Sequence, residues 1–338
     1  MKAAYTRYGP PDVIEVQYLD KPIPKDNEIL IKVRAASVNP LDWKTMHGGP
    51  FLVRLLFGQR KPKIKRLGVD VAGYVEAVGS KITHLKPGDA VFGTCSGAFA
   101  EYACTCGTAR IMKSALVPKP DNVTFEQAAC APIAALTALQ GLRDKGRLQP
   151  GQTVLVNGAA GGVGTFAVQI AKSFGAVVTG VCSARNVDMV RSIGADCVID
   201  YTSQNFTEAG ERYDVIFDAI GNHPLSACRR ALNPKGILLM IGAPKDVRIR
   251  DLLGRLIGAY ILSMFIDQKL ITFIAKSNPA DLSILGEMLS AGKIKAVIDR
   301  RYTLSKVPQA LDYSKDGHAR GKVVISMEPT NLEPPLLS

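Results

Sequence analysis

The sequence predicts an α/β fold in two parts: a doubly wound parallel sheet with helices on both faces, and a β-rich unit assembled from both ends of the chain. Three observations predict it. Strand-like apolar runs alternate with helix-length stretches through the middle of the chain. Short period-two segments punctuated by Gly and Pro fill the region before it. Between one strand-like run and one helix-like run lies a glycine-rich turn, Asn157–Gly164, reading Asn-Gly-Ala-Ala-Gly-Gly-Val-Gly.

In chain order, Glu28–Arg34, Val69–Val78 and Ala98–Ala103 alternate apolar and polar residues, the pattern of half-buried antiparallel strands. From about Thr124 the pattern changes. Thr153–Val156, Val177–Cys182, Cys197–Asp200, Tyr213–Ala219, Gly236–Ile241 and Leu270–Ala275 read as six strands separated by helices, enough for a dinucleotide-binding sheet. After Asn278-Pro279 come a helix over Ala280–Ala291, a strand over Ala296–Ile298, a helix near Val307–Ser314 and a last strand over Lys322–Ile325. These closing pieces are too few for a domain of their own and are expected to return to the first unit. The expected division is therefore 1–123 with 280–338 as one domain and 124–279 as the other.

A chain of 338 residues, 47% hydrophobic, can bury cores for two domains. Seven cysteines at scattered spacings, with no secretory pattern ahead of them, predict a reducing compartment, and the expected location is the cytoplasm. The net charge of +12 owes much to Arg60, Lys61, Lys63, Lys65 and Arg66. No aromatic residues interleave with that run and no nucleic-acid motif accompanies it, so a solvated loop is expected and nucleic acid is not. Contact with a membrane surface stays a minor alternative. Leu252–Ile266 is almost wholly apolar but, at about fifteen residues, is shorter than the roughly 20 that cross a bilayer. A buried helix, a dimer contact or a wall of an apolar pocket are the readings left.

The glycine turn carries the chemistry. A strand that ends in glycines and hands over to a helix presents bare N–H groups and a helix N-terminus, where a pyrophosphate binds. Ala159-x-Gly161-x-x-Gly164 occupies the place of the dinucleotide fingerprint, with Ala where the first glycine usually stands. An NAD-selective site carries an acidic residue at the end of the second strand. Here that strand runs on as Gly180-Val-Cys-Ser-Ala-Arg-Asn186, with no carboxylate before Asp188. Ser183 leaves room for a 2′-phosphate and Arg185 offers it charge-assisted hydrogen bonds, so NADPH is expected over NADH.

Metal-ligand patterns are weak. His47, His84, His223 and His318 are scattered, and Cys95, Cys104 and Cys106 lack the doubled Cys-x-x-Cys of a structural zinc site. Small core cysteines are the better reading. No metal is expected.

Taken together, Met1-Lys-Ala-Ala, Ser37-Val-Asn-Pro-Leu-Asp-Trp-Lys44, Leu67-Gly-Val-Asp-Val-Ala-Gly73, Lys86-Pro-Gly-Asp89, the glycine turn and Gly317-His-Ala-Arg-Gly-Lys322 resemble the zinc-independent medium-chain dehydrogenase/reductases. Similarity is strongest to the quinone oxidoreductase branch, with its alkenal and enone reductases, and spans nearly the whole chain. The resemblance implies a GroES-like β-rich catalytic domain, an inserted Rossmann domain and a cofactor cleft between them. Zinc-dependent relatives have Gly-His-Glu where this chain has Gly68-Val69-Asp70, and a ligand Cys near Asn39-Pro40. It further implies that Thr137 and the backbone of Ala160, Gly161, Gly162 and Val163 meet the pyrophosphate and nearby ribose. Ser183, Arg185 and Asn186 would hold the 2′-phosphate, with Tyr201 near the adenosine end. Gly242 and Phe273 would line the nicotinamide, and Lys44 and Arg320 would reach phosphate or ribose from the catalytic domain. Asn39 is the expected catalytic group beside the reacting ring, and a homodimer is the expected assembly.

Without a metal, the acceptor itself must delocalise incoming charge, as quinones and α,β-unsaturated carbonyls do. The expected activity is NADPH-dependent, metal-free hydride transfer to such acceptors, in a pocket with walls from Trp43, Phe51 and Leu52 and with 252–266 as a further candidate wall. Two alternatives stand beside it: a metal-free alcohol or carbonyl reductase, and a non-catalytic NADPH-binding redox sensor.

Overall fold

In a computed structural model of the chain, residues 2–5, 7–47, 67–105, 114–242 and 249–327 are described. The basic run 60–66, Phe51, Leu52 and Cys106 lie outside them. Strands β1 (Lys2–Tyr5) and β2 (Ile14–Gln17) pair as an antiparallel ribbon. Then follow β3 (Ile29–Ser37), helix α1 (Pro40–His47), β4 (Asp70–Val78), β5 (Ala90–Thr94), β6 (Tyr102–Cys104) and β7 (Ala115–Pro118). Helices α2 (Phe125–Cys130) and α3 (Pro132–Gln140) lead into the central elements. These are β8 (Thr153–Asn157), α4 (Gly162–Ser173), β9 (Val177–Cys182), α5 (Val187–Ser192), β10 (Cys197–Asp200), β11 (Tyr213–Asp218), α6 (Leu225–Arg230), β12 (Leu232–Met240), α7 (Ile249–Leu262) and β13 (Lys269–Thr272). The chain closes with α8 (Pro279–Ser290), β14 (Ile298–Thr303), α9 (Val307–Asp316) and β15 (Lys322–Ser326).

The six central strands form one parallel sheet in the order β10-β9-β8-β11-β12-β13. Strand β8 therefore has its first neighbour on one side and its second on the other, and the connections diverge at its C-terminal end, where doubly wound sheets take their ligands. The other sheet runs β14-β15-β3-β4-β5-β7, with β6 added to β3. As expected, the C-terminal pieces return to it, because β15 pairs antiparallel with β3. Helix α2, although it follows Thr124, packs on β3, β4 and β15 of this sheet.

One strand joins two cores. In β15 the alternation of a strand sends Val323 and Ile325 into the core of the first unit, with Ile31, Val71 and Phe99, while Val324 joins the core under α3 and α4, with Leu136, Phe166 and Phe217. The C-terminal strand is thus a structural hinge-pin between the two sheets.

Three expectations shift. Ala98 and Phe99 are buried but lie in a bend, held by N–H bonds to the Gly68 and Leu67 carbonyls, so the strand begins only at Tyr102. The strand expected at Ala296–Ile298 instead starts at Ile298 and runs to Thr303, where its pairing with β15 lies. The apolar segment 252–266 is helix α7 and its following turn, but it is not a buried helix: Ala259 is buried, while Ile257, Tyr260, Ile261, Met264 and Phe265 are 50–79% exposed. Among the described residues, no helix is long and apolar enough to cross a membrane.

The glycine turn tolerates side chains unequally. A Cβ at Gly164 would come within 2.0 Å of the Gly158 carbonyl oxygen, whereas one at Gly161 would meet nothing nearer than 3.4 Å. Gly164→Ala is expected to cost about 1–3 kcal/mol of stability, and Gly161→Ala much less, as read by thermal unfolding of the two variants. Equal midpoints would contradict this account of the turn.

Candidate active site

The turn leaves β8 through Asn157 and reverses at Gly158, whose φ of +86° favours glycine. The sharp turn thus falls one residue before Ala159, which explains why alanine is accepted at the fingerprint's first position. Ala159 itself is buried, with its Cβ against the backbone at Gly180 of β9. Helix α4 then begins with Gly161 as its N-cap and no side chain capping it. Its first-turn N–H groups have no intrahelical partners, and the positive end of the helix dipole adds to them. A cradle of glycines over an uncapped helix, at the switch point of the sheet, fits a pyrophosphate.

At the next strand end, Ser183, Arg185 and Asn186 form the loop after β9. Asn186 donates to the Ser183 hydroxyl (3.1 Å) and accepts from Arg320 Nε (2.8 Å). Arg320 also donates to the Arg185 carbonyl (2.7 Å), and the Arg185 guanidinium donates to the His318 carbonyl (3.3 Å). Two guanidiniums, one from each unit, thus meet at one loop. Asp188 is exposed, and Asp200, at the end of β10, has its carboxylate engaged by Thr202. Tyr201 follows it, 60% exposed.

Farther along the sheet edge, Gly242 stands after β12, and a Cβ there would lie 2.0 Å from the Ala219 carbonyl. Phe273, just past β13, is half-buried with its ring against Gly141 at the end of α3. Thr137 on α3 turns its hydroxyl back to the Ile133 carbonyl (2.7 Å). Composition and spacing did not single out the network between these strand ends. Asp218 Oδ1 accepts from Asn157 Nδ2 (2.8 Å) and from the Gly221 N–H (2.8 Å), which shapes the loop after β11. Arg255 of α7 donates to the Gly221 and His223 carbonyls (both 2.9 Å), tying α7 to that loop.

Across from the glycine turn, Asn39 lies at the start of α1 and is 3% exposed. Its amide donates to Asp70 Oδ2 (2.8 Å) and the Ser37 carbonyl (3.4 Å), and its oxygen accepts from Lys322 Nζ (2.7 Å). Both hydrogens of the amide are thus directed at groups within the protein. Asp70 also accepts from the Ser37 hydroxyl (2.8 Å) and the Ile133 N–H at the start of α3 (3.0 Å), and Lys322 Nζ lies 3.4 Å from it. Asp42 accepts from the Asn39 N–H (2.8 Å) and the Gly68 N–H (3.2 Å). Burial raises the pKa of Asp42 to about 7. Lys44 projects from α1 toward solvent, yet enough protein surrounds its ammonium to lower its pKa.

Among the described residues, no three His, Cys, Asp or Glu side chains gather as a metal ion would need. Cys95 and Cys104 are buried. Burial also pushes the Cys130 thiol up to about 12 and the Cys182 thiol to about 11, which keeps both protonated and unreactive.

Two family descriptions match: "Alcohol dehydrogenase GroES-like domain" over residues 25–140 and "Zinc-binding dehydrogenase" over residues 193–325. The chloroplast envelope quinone oxidoreductase homolog of Arabidopsis thaliana is 32% identical over 317 residues, 90% of this chain and 91% of the relative. The chain belongs to the medium-chain dehydrogenase/reductase family. Within this family, the chloroplastic NADPH-dependent alkenal/one oxidoreductase of the same plant is 34% identical over 341 residues, 96% of this chain and 79% of the relative. The solved quinone oxidoreductase from Coxiella burnetii superimposes with a TM-score of 0.82 at 28% identity, covering 97% of this chain and 99% of that one. The two sheets described above are thus the GroES-like and Rossmann units of a medium-chain dehydrogenase/reductase.

The raised pKa of Asp42 has a definite sign. Its carboxyl binds a proton more tightly folded than unfolded, so its contribution to stability is full below the unfolded value near 4 and is lost as pH rises through about 7. On going from pH 8 to pH 5.5 the protein should therefore gain thermal stability relative to Asp42→Asn. A difference in midpoint that stays constant over that range would contradict it.

Proposed function

We propose that this medium-chain dehydrogenase/reductase is an NADPH-dependent, metal-free reductase of quinones and α,β-unsaturated carbonyls. The observation that carries the reading is the close approach of the uncapped α4 N-terminus, at Gly162, to Lys322, whose ammonium bonds with Asp70 around Asn39. In zinc-dependent relatives that region supplies metal ligands. Here it carries Asn39, Val69 and Asp70 instead.

NADPH, when bound, would supply the hydride. The backbone of Ala160–Val163 would hold its pyrophosphate, with Thr137 nearby, while Gly242 and Phe273 would border the nicotinamide. Ser183, Arg185 and Arg320 would take the 2′-phosphate, with Asn186 holding Arg320 in position and Tyr201 beside the adenosine. Lys44 would approach the cofactor from α1. The catalytic unit contributes orientation and exclusion of water, and the conjugated acceptor spreads the charge until a proton arrives from solvent. The names of the relatives support this acceptor class, since they include both quinone and alkenal/one oxidoreductases.

Oxidation of NADPH in the presence of a panel of benzoquinones, short enones and long enones tests the activity directly. Turnover of quinones or enones is expected. Turnover of saturated aldehydes alone would favour a carbonyl reductase, and tight NADPH binding with no turnover would favour a redox sensor. For the cofactor, loss of a charge-assisted contact in Arg185→Ala or Arg320→Ala should lower kcat/KM with NADPH by roughly 10- to 100-fold and leave that with NADH nearly unchanged. An unaltered preference would contradict the assignment.

The chain is further read as a cytoplasmic homodimer. Supporting a dimer, the exposed residues Ile257, Tyr260, Ile261, Met264 and Phe265 form an apolar surface on α7 and its turn, close in sequence to the edge strand β13. Replacing Tyr260 and Phe265 by Lys should shift the sedimentation coefficient to that of a monomer. A coefficient that does not change would place the interface elsewhere.

A further inference from the structure

Lys322 is 3% exposed, and its stem lies along the molecule's main seam. Its neighbour Gly321 donates its N–H to the Ala160 carbonyl (2.8 Å), and Gly321 bridges to Gly161, so the start of β15 is stitched to the glycine turn. From there the lysine stem runs beside the first residue of α4: a Cβ on Gly162 would lie 3.0 Å from Lys322 Cδ. The ammonium ends on three oxygens of its own GroES-like unit, Asn39 Oδ1 (2.7 Å), the Val38 carbonyl (3.2 Å) and Asp70 Oδ2 (3.4 Å). Asp70 in turn holds Ser37, the Asn39 amide and the N-terminus of α3.

We propose that Lys322 is a positioning residue for the reaction, a charged strut that sets the spacing between the turn that takes the cofactor and the Asn39–α1 segment facing it. This rests on the reductase reading above. An apolar strut would fill the same space without the cost of burying an ammonium. What the ammonium adds is direction: three acceptors from two separate segments converge on it, and it fixes which way the Asn39 amide points. With Oδ1 drawn to Lys322, Nδ2 is committed to Asp70 and Ser37, so the residues from 37 to 42 are locked to β15. Backbone pairing already joins β3 to β15, with the Val38 N–H on the Val323 carbonyl, and β15 is stitched to the glycine turn; Lys322 adds the side-chain tie that orients Asn39 within that frame and so tunes the distance between cofactor and acceptor. Hydride transfer is steeply sensitive to that distance.

The test uses Lys322→Met, which keeps the length of the stem but removes the charge, and Lys322→Met with Asp70→Asn, which leaves neither partner buried alone. Four readouts are compared in the full chain with NADPH and a quinone or enone accepted by the wild type: kcat, KM, the NADPH dissociation constant and the isotope effect with 4-deuterated NADPH. In Lys322→Met, kcat should fall roughly 10- to 100-fold, the NADPH dissociation constant should change by less than about threefold, and the isotope effect should rise as hydride transfer becomes limiting. The double variant should recover thermal stability without recovering kcat. A loss confined to KM or to the dissociation constant would overturn the inference, as would a loss that tracks the folded fraction or a double variant with wild-type kcat. If the wild type turned over no acceptor, the reductase reading would fail, and the inference would fall with it; active wild type with equally active Lys322→Met refutes the inference alone.

Discussion

Two sheets drawn from different stretches of chain approach one another, at the glycine turn, to direct backbone contact. There the Gly321 N–H reaches the Ala160 carbonyl, with Gly161 and Gly321 in direct register, and neither residue has a side chain to hold the strands apart. Much else depends on that closeness. It brings the C-terminal strand of the GroES-like unit against the cofactor turn of the Rossmann unit and lets Lys322 cross beneath α4. It also carries Arg320 to the loop that ends β9. A Cβ at Gly321 would come 2.2 Å from the Val297 carbonyl, and its φ of +95° independently favours glycine. The seam is therefore specified by the residue types at that point.

Burying ions beside the seam is costly, at several kcal/mol for each before compensation. The structure offsets the cost with full satisfaction: Lys322 has three oxygen partners, and Asp70 accepts from Ser37, Asn39, Ile133 and Lys322. A cluster so completely paired is rigid, and its rigidity is what an orientation-dependent reaction draws on. At the adenosine end the logic is reversed. Arg185 and Arg320 keep much of their guanidinium exposed and bond chiefly to carbonyl and amide oxygens, so their charge stays available to an incoming phosphate.

Much of the fold was legible because periodicity is a property of single segments. All six Rossmann strands overlap their apolar runs, and Val177–Cys182 and Cys197–Asp200 match them residue for residue, while the run at Leu270–Ala275 leaves the sheet after Thr272 and that at Gly236–Ile241 enters it already at Leu232. The glycine turn was legible for the same local reason, although the positive φ belongs to Gly158 and not to the fingerprint's first position. Long-range partners were not. Asp70 and Lys322 are 252 residues apart, and nothing in either neighbourhood announces that one will bury its charge against the other. Asn39 stands out in the sequence as a polar residue in a short motif, but its hydrogen bonds depend on that same distant lysine. The pairing of Asn157 with Asp218 has no local signature, because only the parallel register sets them side by side. Exposure of α7 was equally hidden, since an apolar composition reads alike for a helix buried in its own chain and for one left with an open apolar face.

A reductase built this way passes hydride directly from NADPH, held at the glycine turn, to the conjugated acceptor. The most direct measurement is the position of deuterium in the product after anaerobic reaction of an enone with 4-deuterated NADPH in ordinary water. One deuterium at the carbon β to the carbonyl, with the α-hydrogen drawn from solvent, is the predicted result. Deuterium at the carbonyl carbon, or none in the product, would contradict it.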